Sequence, residues 1–200
     1  MTEKEDDTEP ALILIDLQEG FGDPSWGTRN NPDAERRASE LLEAWREADR
    51  PVVHVRHDSS EPDSPLRGDG PGFAFKAETA PAGGEATFEK SVNSAFIGTG
   101  LESWLRERGL ERVVLVGLTT DHCVSTTARM AENLGFEPTV VADATATFDR
   151  EFDGEAFDAE TIHRTALAQL STGSSTAKRS TPRRSTGRRW PSSRGSSRRW

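Results

Sequence analysis

Four short apolar runs constrain this chain more than any other feature. "ALILIDLQ" at 11–18, "PVVHVRH" at 51–57, "ERVVLVG" at 111–117 and "EPTVVADATATF" at 137–148 are each too short for a buried helix and rich in Val, Ile and Leu. Continuous apolar runs of this length suit strands buried on both faces. Between them lie stretches with helical spacing. "NPDAERRASELLEAWREADR" brings Leu41, Leu42 and Trp45 to one side, and "GTGLESWLRERGL" does the same for Leu101, Trp104 and Leu105. "STTARMAENLGF" closes at Gly135 and "DAETIHRTALAQL" is the last helix. Strands alternating with helices predict an α/β fold: three layers, α/β/α, around a central, mostly parallel twisted sheet of Rossmann-like type with right-handed crossovers. In such sheets ligands bind beyond the carboxyl ends of the strands. Asp16 ends the first run, His57 and Asp58 end the second, and Cys123 follows the third. The topology therefore predicts that residues far apart in sequence meet at one rim.

Cys123 is the chain's only cysteine, in "GLTTDHCVSTTARMA". One cysteine excludes an intrachain disulfide and a thiolate metal cluster. It leaves an inert buried thiol, the commoner case for a free cysteine, or a reactive one. A position between strand and helix favours the second, because a helix N-terminus is expected to lower a thiol's pKa. Residues 58–86, rich in Pro, Gly, Ser and charge, read as a long loop, and long loops in compact domains are usually functional or disordered.

Charge divides the chain. Ser171–Trp200 holds 9 of the 25 Lys and Arg and no Asp or Glu, so residues 1–170 carry 16 basic against 34 acidic groups, a net −18. Such a body suits a salty cytoplasm, where its self-repulsion is screened, and it is a poor surface for nucleic acid. No run approaches the roughly 20 apolar residues of a membrane span, and "MTEKEDDTEP" has no apolar signal core, so a cytoplasmic protein with no membrane partner is expected. Residues 1–9 read as an acidic lead, 10–170 as the folded domain, and 171–200 as a disordered, low-complexity basic tail. The tail reads best as the product of a shifted reading frame that replaces a last sheet strand. A genuine basic arm that binds nucleic acid is the other reading.

The residues now in hand resemble the isochorismatase-like cysteine hydrolases. Over roughly residues 10–170, "LILIDLQEGF", "PVVHVRHDS", "FEKSVNSAFIGTGLESWL" and "VVLVGLTTDHCVSTTARMAENLGF" occur in the order and spacing of that family. The resemblance implies an Asp-Lys-Cys triad of Asp16, Lys90 and Cys123, with Asp16 in an Asp-x-Gln pattern completed by Gln18. It also implies a non-proline cis peptide between Leu118 and Thr119. The backbone N–H groups of Thr119 and Cys123 would form the oxyanion hole, and Phe21, Trp26, His57, Asn93 and Phe96 are substrate-pocket candidates by position. His122 is expected to be structural.

The implied activity is metal-independent hydrolysis of a C–N bond in a small-molecule amide through an acyl-enzyme, with no cofactor. Homo-oligomers are common among such relatives. The alternatives are a metal-using nicotinamidase, a vinyl-ether isochorismatase, a nucleic-acid binder using the basic tail, and a protein inactive for want of its last strand. Against the first, His57 and Asp58 are adjacent and so point to opposite faces of a strand, with no further histidine before His122. No metal site is expected.

Overall fold

The computed structural model describes residues 9–171 and 176–178. Its centre is a six-stranded parallel sheet of β1 (Ala11–Ile15), β2 (Val52–His57), β3 (Ala86–Lys90), β4 (Arg112–Leu118), β5 (Glu137–Ala146) and β8 (Thr176–Lys178). Their order across the sheet is β3-β2-β1-β4-β5-β8. A small antiparallel hairpin, β6 (Arg150–Phe152) with β7 (Glu155–Phe157), stands apart from it. The helices are α1 (Ala34–Glu47), α2 (Leu101–Glu107), α3 (Ser125–Asn133) and α4 (Ala159–Leu170).

β1 is central and wholly buried, and its side chains alternate between two cores. Ile13 and Ile15 face Leu101 and Leu105 of α2, Val124, Ala128 and Ala131 around α3, and Leu170 of α4. Leu12 and Leu14 face Ala38, Leu42 and Trp45 of α1. Two apolar faces on one strand explain its unbroken apolar run. Trp45, fully enclosed, still places its indole N–H on the Pro10 carbonyl at 2.9 Å, as a buried indole requires.

α1 begins at Ala34, after Asn31 takes a left-handed φ of 42° and turns the chain. Two features depart from the sequence reading. β3 was hidden inside a segment read without a strand. It is an edge strand whose Thr87 and Glu89 are exposed, so it lacks the apolar run that marks the central strands. The expectation of a tail without a strand also needs correction. Thr176–Lys178 pairs in parallel with Thr139–Val141 of β5. An edge strand is held by backbone hydrogen bonds, which do not depend on an apolar pattern. The rest of the basic tail, 172–175 and 179–200, and the acidic lead, 1–8, lie outside the described residues.

Candidate active site

Lys90 ends β3 with its side chain turned inward and fully buried. Its ammonium reaches three acceptors: Asp16 Oδ2 at 2.7 Å, His57 Nδ1 at 3.1 Å and Cys123 Sγ at 3.3 Å. The strand ends thus deliver Asp16 from beyond β1, His57 from β2 and Lys90 from β3 to one point. Cys123 comes from the turn after β4. Ligand-type atoms of Asp16, His57 and Cys123 all lie within 4.8 Å of one another.

Two devices, one of the backbone and one a side chain, hold the carboxylate in place. Asp16 adopts a left-handed φ of 53°, which turns the chain out of the sheet as soon as β1 ends. Gln18, completely buried, then locks the neighbouring segments. Its amide donates to the carbonyls of His57 at 3.0 Å and Phe73 at 3.3 Å, and its Oε1 accepts the His57 N–H at 2.8 Å. Gln18 therefore clamps the end of β2 to the start of the helical turn Glu19–Gly22. Gln18→Ala is expected to cost about 2–4 kcal/mol, because it leaves buried backbone groups unpaired. Urea unfolding measures this, and an unchanged midpoint would contradict the clamp.

Cys123 does not open an ordinary α-helix. It lies on a single π-helical turn, Thr120–Val124, directly ahead of α3. The Leu118–Thr119 peptide before the turn is cis. The Thr119 carbonyl accepts from the N–H groups of His122 at 3.3 Å and Val124 at 3.1 Å, on either side of Cys123. π-turns of this kind recur at functional sites.

The turn is tied down from behind. Asp121 accepts from the Thr147 hydroxyl and from the Arg150 guanidinium at 3.2 and 3.3 Å. Although burial opposes it, Thr147 and the charges of His122 and Arg150 hold the Asp121 carboxyl below its ordinary range. Thr120 Oγ1 meets His163 Nδ1 of α4 at 2.8 Å. Asn31 bonds the carbonyls of Ala142 and Thr145 at 2.9 and 2.7 Å and lies 3.4 Å from His163 Nε2. These groups are invisible as a set in the sequence, because they are separated by up to 132 positions.

The electrostatics correct one expectation. The Cys123 thiol is not acidified. Burial, and then the charge of Asp16, push it up to about 12, with Lys90 pulling the other way. Burial likewise raises the Asp16 carboxyl against the pull of Lys90. A helix-end field is worth at most about 2 kcal/mol, less than the cost of enclosing a second anion beside Asp16. Burial and Asp16 therefore favour the neutral thiol over the thiolate at Cys123.

The pocket candidates divide. His57, half-buried, touches Lys90, and Asn93 Oδ1 accepts from Cys123 Sγ at 3.7 Å while Asn93 remains exposed. Phe21 and Trp26 pack with Phe148 in one aromatic cluster, ring centroids 5.0–6.2 Å apart, and the Trp26 indole donates to Gly20 O. Phe96 stacks on Phe136 in the core on the side of α2 and α3. His122 is mostly exposed, 3.6 Å from Asp121. A cavity of about 560 Å³ opens at Asp58, Ser59, Arg67, Phe73, Glu89 and Ser91. It flanks the strand ends, and the triad is not part of its wall.

Among the described residues, Asp16, His57 and Cys123 form the one cluster of three metal-type donors. They do not suit a divalent ion, because the Lys90 ammonium already stands among them within hydrogen-bond distance of all three. The neighbouring Asp58 is exposed, and its Oδ1 accepts the Gly68 N–H at 2.7 Å.

A parallel α/β sheet thus gathers Asp16, Lys90 and Cys123 at the carboxyl ends of its strands. The isochorismatase domain family matches residues 10–174, and the chain belongs to that family of hydrolases. It is 46% identical over 161 residues to the isochorismatase family protein YrdC of Bacillus subtilis (strain 168), covering 80% of this chain and 86% of that one. Nicotinamidase 3 of Arabidopsis thaliana is 29% identical over 176 residues, with 82% and 81% covered. A solved structure from Chromobacterium violaceum ATCC 12472, described as a hydrolase of the isochorismatase family, superimposes with a TM-score of 0.83 at 43% identity, covering 89% of this chain and 92% of that one.

Proposed function

We propose that this chain is a metal-independent cysteine hydrolase that cleaves the C–N bond of a small amide through an acyl-enzyme. The observation that carries the reading is the Lys90 ammonium bonded at once to Asp16 and Cys123, both buried. A relative named for an amidase activity supports the bond type.

Cys123 Sγ attacks the amide carbonyl carbon while Asp16 takes the thiol proton. A carboxyl raised by burial is a better base than one at its ordinary value. The N–H groups of Thr119 and Cys123 receive the developing oxyanion. As the C–N bond breaks, Asp16 returns the proton to the leaving amine. Water then attacks the thioester, Asp16 accepts its proton, and that proton passes to Sγ as the C–S bond breaks. Lys90 keeps its charge throughout and offsets whichever of Asp16 and Cys123 is the anion.

A panel of small amides with intact-mass detection tests this. The full chain should release amine and carry a single acyl adduct, and Cys123→Ala should do neither. Chelator should leave turnover unchanged. Turnover that chelator abolishes, or that survives in Cys123→Ala, rejects the proposal.

A further inference from the structure

An ammonium has three N–H donors and no acceptor. Buried Lys90 has three acceptors, and two of them belong to the reaction proposed above. The third is His57 Nδ1, 3.1 Å away. We propose that His57 is a positioning residue for the triad: its unprotonated Nδ1 takes the third N–H of Lys90 and so fixes the direction of the two that hold Asp16 and Cys123. This rests on the triad reading and adds a fourth member to it.

The surroundings of His57 support this assignment. Gln18 grips the His57 backbone on both its N–H and its carbonyl, so the ring's origin is fixed by the residue two positions after Asp16. The charged and titratable groups around the ring are Lys90 on β3, Asp16 beyond β1, Asp58 next in the chain and the Cys123 thiol. The Val92 backbone interacts with the ring as well. Val92 adjoins Asn93, whose Oδ1 accepts from Cys123. His57 thus joins Lys90 to the segment that carries Asn93.

Acceptance at Nδ1 demands the neutral ring with its proton on Nε2. Burial, and then the charge of Lys90, hold the His57 pKa below its usual value, which keeps the ring neutral at physiological pH. Protonation would remove the acceptor and set a second cation 3.1 Å from the first. Catalysis should therefore lose this support as pH falls through the lowered His57 pKa.

Two measurements on the full chain test the inference. The first needs no substrate. With ¹⁵N-labelled histidine, long-range ¹H–¹⁵N spectra should show His57, identified among the four histidines by its loss in His57→Asn, as the Nε2–H tautomer near neutral pH. In Lys90→Met its titration midpoint should rise by about one unit, since a neighbouring cation is removed. The second is turnover. His57→Ala should lower kcat/KM at least about tenfold, the loss of a hydrogen bond to a charged group. His57→Asn, which restores an acceptor near Nδ1, should recover most of that loss and move the acid limb of the pH profile. An Nδ1–H tautomer, an unmoved midpoint in Lys90→Met, or full kcat/KM in His57→Ala would overturn the inference. The expected spectra in a protein that turns over no amide would uphold the His57 contact and reject the amidase reading alone.

Discussion

Asp16→Asn is expected to drive the two reactions of Cys123 in opposite directions. Hydrolysis should fall at least about a thousandfold, since an amide cannot take the thiol proton or activate water. Alkylation of Cys123 by iodoacetamide at about pH 8 should become faster, not slower. After burial, the Asp16 charge is the next cause that pushes the thiol up to about 12. Removing it leaves the Lys90 ammonium at 3.3 Å as the sulfur's charged neighbour, which favours the thiolate. The chain has one cysteine, so alkylation reports this site alone. Asparagine suits the position because it tolerates the left-handed φ of 53°, so loss of turnover would not be a backbone effect. The variant gives up a buried ion-pair partner, a loss worth roughly 3–5 kcal/mol where the remaining charge finds no substitute; circular dichroism checks that it still folds. Slower alkylation in a folded variant would show that Asp16 does not hold the thiol neutral, and undiminished hydrolysis would remove it as the base.

The same electrostatics mark how far the sequence could be read. β1 and β4 were legible because strands buried on both faces must be apolar throughout, and "ALILI" and "RVVLVGL" are nearly so. Their order with the helices fixes the sheet, and the sheet brings Asp16 and Cys123 to one rim. β3 was not legible, since Thr87 and Glu89 of an edge strand face solvent. Lys90 could be assigned only through family resemblance, although β3 is what delivers it. The direction of the Cys123 pKa depends on burial and on a carboxylate 107 positions away, and a local reading of a helix start sees neither. Gln18 and His57 form a clamp only after β2 has been laid beside β1. Patterned side chains could thus be read from local sequence, whereas groups that meet through register and turns could not.

Gly117→Ala is expected to be among the most damaging single substitutions in the chain, at about 4 kcal/mol or more. Gly117 pairs with Ile15 across β1 and β4 at a φ of 121°. A Cβ built there would fall 1.9 Å from the Ile15 carbonyl oxygen and 2.8 Å from its carbon. These are backbone atoms of the central strand, so no side-chain rotation relieves the clash. β1 and β4 must separate, or Gly117 must change its dihedrals. The first moves Asp16, the residue after Ile15; the second moves Thr119 and the turn that carries Cys123. A variant that still folds should therefore be inactive as well as weak. Gly98→Ala is the control. It has a φ of 73° and open space around its would-be Cβ, so only backbone strain of about 1–2 kcal/mol applies. Urea unfolding of both variants checks the contrast. If Gly117→Ala were no worse than Gly98→Ala, the close approach of β4 to Ile15 could not be what sets the spacing between carboxylate and sulfur.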